Sequence, residues 1–307
     1  MMHACGLSRK AGVLALWAGL LAGCGGGSSG GSGQPSTCRK IDGGSTTVCV
    51  DGKATAPLCP TTPALAQVTD LSGTWVLETI GAQTVTAPTY ANPFKLKSIN
   101  VMLVQVVQTG SDVTLTGKYC DRIQHDDPSN PAKVIVIDAW RLTPSPFTRN
   151  GTFAPDASGQ LTLTLPALIE VAGAVLTDPV CEALPVDPND PRLFDSDGDQ
   201  QPGISVGLEG LITGTLRSVQ RQATALQGVA VDTDRVEGGM VYESDQSVVA
   251  SDPPSIACLY TLSTSSADPT PCSSSFVMRK VQVPADVAAN QAECQWVRDQ
   301  EATLLGL

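Results

Sequence analysis

Three aspartates at alternate positions of one loop are the residues best placed to do chemistry in this sequence. Asp195, Asp197 and Asp199 alternate with Ser196 and Gly198 in an acidic stretch. Carboxylates spaced in this way can point their oxygens at one hard cation, and calcium accepts about six to eight oxygen ligands. Such oxygen ligands suit calcium better than zinc. The spacing therefore predicts a calcium site, and the alternative is a solvated acidic turn.

A calcium ion in this loop would need further ligands. The run resembles the D-x-D-x-D calcium loops of secreted proteins, but it departs from the EF-hand pattern. Gly198 lies at the fourth position, and the twelfth position is Val206 where an EF-hand has glutamate. If the chain folds back on itself, the missing oxygens would come from other nearby acids, namely Asp187, Asp190 and Glu209.

Ser205 and His125 are the candidates for nucleophilic or general-base chemistry. Ser205 is the centre of Gly203-Ile204-Ser205-Val206-Gly207, which matches the G-x-S-x-G nucleophile elbow. That elbow needs a strand before the serine and a helix after it, whereas here an acidic loop precedes and a β pattern follows. His125, the only histidine after residue 23, lies in a polar stretch beside Asp126. The sequence therefore assigns no catalytic residue.

Cys24 carries the clearest targeting signal. Arg9 and Lys10 precede an apolar run over residues 11–22, which is too short to span the ~30 Å of a bilayer core. The tetrad Leu21-Ala22-Gly23-Cys24 resembles the lipobox of bacterial lipoproteins. This resemblance implies that residues 1–23 are a signal peptide and that Cys24 carries palmitate or another acyl chain. Because Gly25 replaces the aspartate that retains some lipoproteins in the inner membrane, we expect the outer membrane, at its periplasmic face or the cell surface.

The charge of the exported chain limits the classes of partner that it can bind. The first 23 residues hold two of the 19 basic residues and no acidic one, so 17 Lys and Arg remain against 30 Asp and Glu, a formal net charge of −13. Such a surface repels nucleic acid and anionic lipid headgroups. We therefore expect no nucleic-acid partner, and membrane attachment through the lipid on Cys24 and not through a basic patch.

The cysteines predict disulfide bonds. An even number of cysteines in an exported chain indicates disulfides, because the compartments outside the cytoplasm are oxidising. Their spacing does not fix the pairing, but Cys38–Cys49 and Cys258–Cys272 would each close a short hairpin. With no C-x-x-C pair and no histidine near a cysteine, a zinc cluster is not favoured. The eight cysteines that remain beyond Cys24 are Cys38, Cys49, Cys59, Cys120, Cys181, Cys258, Cys272 and Cys294.

The composition divides the chain into four segments. Residues 1–23 are the signal peptide, and residues 24–37 are a Gly/Ser tether too polar to order itself. Residues 38–66 form a cysteine-rich collar, and one of its three cysteines must pair outside it. Residues 67–307 form the main body.

The body is predicted to be all-β. Leu161, Leu163 and Leu165 alternate with threonines, as expected of a half-buried strand. About ten to twelve strands are expected with no helix between them, including apolar central strands over 99–107 and 134–142 and a hairpin at 109–112. This pattern favours an antiparallel barrel or sandwich. One helix is predicted over 285–305, after Pro284.

Two short motifs resemble lipocalins. Gly73-Thr74-Trp75 is similar to their G-x-W opening strand, and residues 275–280, followed by Pro284 and a helix, are similar to their last strand and C-terminal helix. The resemblance implies an enlarged lipocalin-like barrel, since the chain between these motifs is longer than eight lipocalin strands need. It also implies that Trp75 closes one end and that Arg279 packs over its ring in a structural cation–π contact.

Three functions are consistent with these patterns. The first is a non-enzymatic, lipid-anchored envelope protein that binds a small hydrophobic ligand or a partner through a disulfide-stapled β body. The second is a calcium-ordered surface interaction or structural protein with a filled core. The third is a secreted hydrolase that uses Ser205 or an unidentified acid pair. An open apolar cavity would favour the first, and a filled core the second. Oligomeric state is left open by the sequence.

Overall fold

The alternating segments build one antiparallel sheet. A computed structural model of the chain describes residues 52, 55–59, 70–86, 93–126, 132–210, 213–257, 264–289 and 291–305. Within these residues the sheet has eleven strands. They are β1 (Gly73–Thr86), β2 (Phe94–Thr109), β3 (Asp112–Asp126), β4 (Ala132–Val136), β5 (Pro146–Pro155), β6 (Leu161–Ala172), β7 (Ile204–Gly210), β8 (Gly214–Asp232), β9 (Arg235–Asp252), β10 (Thr264–Ala267) and β11 (Ser275–Lys280).

Eight of these strands close into a ring. Their order is β8-β6-β5-β3-β2-β1-β11-β9, and β9 pairs back onto β8. Strand β7 pairs with the first residues of β8 and β4 pairs with β7, so these two strands extend the sheet there, and β10 pairs with the end of β1. All of these pairings are antiparallel. The predicted antiparallel barrel is therefore confirmed, as is the hairpin in which Thr109 pairs with Asp112.

Residues 134–142 do not form the predicted central strand. Only Ala132–Val136 is extended, as β4 at the end of the pairing order, and Asp138–Arg141 forms the short helix α1. The prediction was wrong because a short apolar run has the same pattern in a strand and in a helix. This matters for the site, since α1 and the loop after it lie next to the acidic loop.

The apolar side chains of the ring fill its interior. One buried cluster draws side chains from all eight ring strands, so it lies inside the barrel. Burying each large side chain of this kind stabilises the fold by about 1.5–3 kcal/mol. The indole Nε1 of Trp75 donates to the carbonyl of Leu71 at 2.8 Å. The cluster includes Trp75, Leu77, Met102, Val104, Leu115, Phe147, Phe153, Leu163, Leu165, Leu226, Val236, Met240, Phe276 and Met278.

A polar network adjoins this apolar cluster. The Tyr119 hydroxyl donates to Glu170 Oε2 at 2.6 Å, and the guanidinium of Arg122 lies 4.4 Å from the Tyr119 ring centre. Arg149 is buried, and its Nη2 donates to the carbonyl of Thr224 at 2.7 Å. A buried polar group without a hydrogen-bond partner lowers the stability of the fold. These contacts provide such partners where strands β3, β5, β6 and β8 meet in the closed sheet.

Arg279 does not pack over Trp75, so that expectation is wrong. Trp75 is fully buried and pairs across the strands with Lys280, whose Nζ lies 5.7 Å from the indole ring centre. Arg279 is opposite Val76 and forms an ion pair with Asp234 at 3.6 Å. Since side chains alternate between the two faces of a strand, a shift of one residue places Arg279 on the other face.

The predicted C-terminal helix is two helices. α2 (Ala285–Ala289) and α3 (Glu293–Leu305) are separated by a turn in which Gln291 has a φ of 55°. Apolar residues of α3 pack on the outer face of the sheet, and Cys294 is joined to Cys120 of β3 by a disulfide. None of the helices in the described ranges is long and apolar enough to cross a membrane.

A second disulfide attaches the collar to the body. Cys59 is bonded to Cys272, as expected of one collar cysteine, and the predicted Cys258–Cys272 pair is therefore wrong. The bridge joins distant parts of the chain, which no hairpin spacing reveals. Cys181 is also disulfide-bonded. The signal peptide, Cys24, the tether, Cys38, Cys49 and Cys258 lie outside the described residues.

Candidate functional site

The acidic loop belongs to a long ordered connection between β6 and β7. Ala174 pairs with Leu193, and Asp195 pairs with Gly203, so the connection folds back on itself. Arg192 stabilises the fold-back, because its guanidinium donates to Glu182 and to Asp190, each at 2.7 Å. These contacts position the loop at the start of β7.

The three predicted aspartates come together. Ligand oxygens of Asp195, Asp197 and Asp199 all lie within 4.8 Å of one another. Asp195 is exposed, Asp199 is half-buried, and Asp197 is buried, with only 3% of its surface accessible to solvent. The cluster therefore has a buried floor at Asp197 and an open side at Asp195.

Backbone N–H groups hold the carboxylates in place. Asp195 accepts hydrogen bonds from the N–H groups of Gly198 at 2.7 Å and Gln200 at 2.8 Å. Both donors have positive φ angles, 78° and 67°, which turn the chain around the Asp195 carboxylate. Asp197 accepts from the backbone N–H of Ser205 at 2.7 Å, and Asp199 accepts from the Ser205 hydroxyl at 2.5 Å. The cluster is thus preorganised by its own loop and by β7.

The electrostatics of the cluster favour a cation. Burial, together with the charge on Asp199, raises the pKa of Asp197 to about 6, although the hydrogen bond from the Ser205 N–H opposes this rise. Burial also acts to raise the pKa of Asp195, but the N–H groups of Gln200 and Gly198 outweigh it and leave that pKa lowered. A bound cation would offset the repulsion among the three carboxylates.

The other predicted ligands do not join the cluster. Asp190 pairs with Arg192, which lowers the Asp190 pKa to about 2. Asp187 accepts from the backbone N–H of Asn189 at 2.9 Å. Glu209 is exposed on β7, opposite Lys133 of β4. Calcium at this site would therefore complete its coordination with carbonyl oxygens or water on the open side.

Ser205 is not at a nucleophile elbow. It lies inside β7 and is buried, and β7 continues to Gly210 and pairs with β8, whereas an elbow requires a helix directly after the serine. Its hydroxyl is engaged by Asp199. His125 lies on β3, where it is exposed and pairs across the strands with Lys97. The structure thus gives Ser205 a structural role as a donor to the acidic loop.

Two clefts open on the surface of the described chain. One, of about 270 Å³, is lined by residues that include Phe153, Pro155 and Leu161, and the other, of about 200 Å³, by residues that include Tyr242 and Pro271. Both are open to solvent. They are smaller than the roughly 300–1,000 Å³ of typical small-molecule pockets.

Sequence reasoning missed a second group of acids. Glu78 of β1, Asp121 of β3 and Glu301 of α3 lie where α3 covers the sheet, and Glu78 and Asp121 are buried. The signal that could have found it is Glu78 itself, an acidic residue directly after the apolar run Trp75–Leu77.

Comparison of the chain with protein-family models, with curated proteins and with solved structures finds no match. The residues that bear on function are therefore those of the molecule itself: the preorganised carboxylates, the filled interior and the acids beneath α3.

Proposed function

We propose that this protein is a non-enzymatic interaction or structural protein of the cell envelope, anchored through a lipid on Cys24, whose loop 195–199 is ordered by calcium. The observation that carries this proposal is the cluster of three carboxylates within 4.8 Å, held by backbone donors and open to solvent on one side.

The filled interior favours this function over the binding of a small apolar ligand. Side chains from all eight ring strands meet inside the barrel, and Trp75, Leu115 and Leu163 have no exposed surface or almost none. An apolar guest would have to displace these side chains, at a cost of several kcal/mol for each. Binding at the surface requires no such rearrangement.

Calcium at this position would connect two loops. The hydroxyl of Thr143, which follows α1, is 3.5 Å from the carbonyl oxygen of Asp197. A cation held by Asp195, Asp197 and Asp199 would neutralise the loop and fix it against this neighbour. Calcium sites in extracellular modules work in this way, with dissociation constants of about 10⁻⁴–10⁻³ M.

Export is supported by features that are independent of the loop. The disulfides Cys59–Cys272 and Cys120–Cys294 are typical of proteins outside the cytoplasm. The lipobox-like tetrad and the net negative charge agree with a protein held near a membrane by lipid. A Cys24→Ala variant is expected to leave the membrane fraction, and its retention there would contradict lipid anchoring.

Calcium titration of the full chain tests the calcium site. We expect calorimetric heat and a rise in Tm, since a ligand at about 100 times its Kd stabilises the folded state by ~2.7 kcal/mol. Asp197→Ala/Asp199→Ala should abolish both. Asp178→Ala/Asp187→Ala, which removes two exposed acids of the same connection, is the matched control and should retain both. The absence of heat and of a Tm shift at about 10 mM calcium, which is about 10 to 100 times such dissociation constants, would contradict the proposal.

A further inference from the structure

Helix α3 covers an apolar face of the sheet. Val297, on α3, packs with Val76 of β1 and Val101 of β2, and all three are almost fully buried. Leu304, near the end of the helix, packs against the same cluster, as does Trp296. If α3 moved away, this face would be exposed to water.

The two halves of α3 are fastened differently. Near its start, Cys294 is bonded covalently to Cys120, and the side chain of Glu293 forms an ion pair with Lys118 at 3.3 Å. Arg298 Nη1 donates to the carbonyl of Cys120 at 2.7 Å. Beyond Arg298 the contacts with the sheet are the apolar contact of Leu304 and the proximity of Glu301 to the sheet acids. The second half can therefore separate while the first half stays bonded.

Glu78 is buried beneath this second half. Only 3% of its surface is accessible to solvent, and it lies on the same face of β1 as Val76. Its partners across the strands are Val101 and Val277, both in the cluster that α3 covers. Among the described residues, no group donates a hydrogen bond to its carboxylate or forms an ion pair with it. A charge on Glu78 would thus be buried without compensation.

We propose that the second half of α3 is a pH-sensitive lid, which is docked when Glu78 is protonated and released when Glu78 and Glu301 are both charged. The Cys120–Cys294 bond holds the start of the helix in both states. Release would uncover the part of this apolar face against which Leu304 packs.

The charges around Glu78 come from every element packed there. The acids are Glu301 of α3, Asp121 of β3 and, beyond Val277, Glu237 of β9, which is buried and forms an ion pair with Arg235 at 2.5 Å. The basic groups are already engaged or lie further along the face: Arg141 binds Asp121, Arg298 binds a carbonyl, Arg279 of β11 binds Asp234, and His125 is exposed on β3. The neighbours of Glu78 on β2 and β11 are valines, so neither strand supplies a cation to it.

The pKa values set the direction of the switch. Burial, together with the charge on Glu301, raises the pKa of Glu78 from 4.5 to about 7. Burial and Asp121 raise the pKa of Glu301, while Arg141 and His125 oppose this. An acid whose pKa is higher in the docked state stabilises that state when it is protonated. For Glu78 this stabilisation is complete below the free pKa of 4.5 and is lost as the pH rises through about 7.

Hydrogen exchange of the full chain tests the lid. After correction for intrinsic rates, we expect amides of residues 299–305 to open at least about tenfold more at about pH 8 than at about pH 5.5, with little change in 293–297. Glu78→Gln should keep residues 299–305 closed at both pH values. Glu209→Gln, at an exposed glutamate of β7, is the matched control and should behave as the wild type.

Three outcomes would overturn the proposal. They are equal opening of residues 299–305 at the two pH values, an undiminished pH dependence in Glu78→Gln, and opening spread uniformly over the sheet, which would indicate general destabilisation. If Glu78→Gln does not fold, Glu301→Gln replaces it. That variant removes the charge that raises the Glu78 pKa, so residues 299–305 should open less at about pH 8 than in the wild type, and undiminished opening there would count against the lid.

Discussion

Two groups of three acids in this protein have opposite surroundings. Asp195, Asp197 and Asp199 belong to one loop, and their oxygens lie within 4.8 Å of one another. The acids beneath the C-terminal helix, Glu78, Asp121 and Glu301, come from β1, β3 and α3 (Glu293–Leu305). The first group has an open side, whereas the second is covered by a helix.

The difference lies in what can neutralise each group. Asp195 accepts hydrogen bonds from the N–H groups of Gly198 and Gln200, and Asp197 accepts one from Ser205, so backbone donors partly offset the charge of a group that an ion can reach. Beneath α3, Arg141 neutralises Asp121, but Glu78 has no such donor in the described structure. This difference is the basis for proposing a cation at the loop and a proton on Glu78, and three substitutions test the distinction.

Arg141→Ala should have the largest effect. Arg141 makes two bonds to Asp121, at 2.7 and 2.9 Å, and the Asp121 side chain is almost fully buried. Leaving this carboxylate unpaired should cost about 3 kcal/mol of the free energy of unfolding, measured by urea denaturation at neutral pH. It should also remove the charge that lowers the pKa of Glu301, so charged Glu301 is tolerated less well in the docked helix and α3 should open more at neutral pH. A loss below about 1 kcal/mol would show that water already reaches Asp121.

Ser205→Ala should have an intermediate effect. Its hydroxyl donates to Asp199 at 2.5 Å, and a hydrogen bond to a charged group contributes about 1.5–3 kcal/mol. Saturating calcium should reduce the loss, because the cation takes over the neutralisation of Asp199. Ser244→Ala, at an exposed serine of β9, is the control and should leave the free energy of unfolding unchanged. An equal loss of the free energy of unfolding with and without calcium would show that Ser205 is not part of the cation site.

Lys118→Ala should have the smallest effect. Its ion pair with Glu293, at 3.3 Å, is partly exposed, and such pairs contribute about 0–1 kcal/mol. The disulfide at Cys294 already holds this end of α3, so hydrogen exchange of residues 299–305 should keep its wild-type pH dependence. A change in that dependence would mean that the start of the helix, and not Glu78, controls docking.

Sequence patterns predicted the parts of the fold that depend on local order. Alternation such as that of Leu161, Leu163 and Leu165 is enough to recognise strands, and the chain after Pro284 has a helical composition. Which face a residue takes depends on register across distant strands, and Arg279 was misplaced for this reason. Residues 137–142 were misread because apolar content alone does not separate a strand from a helix.

The same reason explains why one acid group could be predicted from the sequence and the other could not. Asp195, Asp197 and Asp199 are close in the sequence, so their spacing revealed them. Glu78 and Glu301 are 223 positions apart in the numbering of the chain and meet only because α3 folds back onto β1. The pairing of Cys59 with Cys272, over a separation of 213 residues, was hidden for the same reason.

The order of the two disulfides along the chain has a consequence for proteolysis. The bridges Cys59–Cys272 and Cys120–Cys294 are interleaved, since Cys120 lies inside the first loop and Cys294 lies outside it. A single cleavage between Cys120 and Cys272 leaves two fragments joined by both bridges, and a cleavage elsewhere between Cys59 and Cys294 leaves them joined by one. A protein cleaved once between Cys59 and Cys294 would therefore remain one covalent molecule and separate into fragments only after reduction.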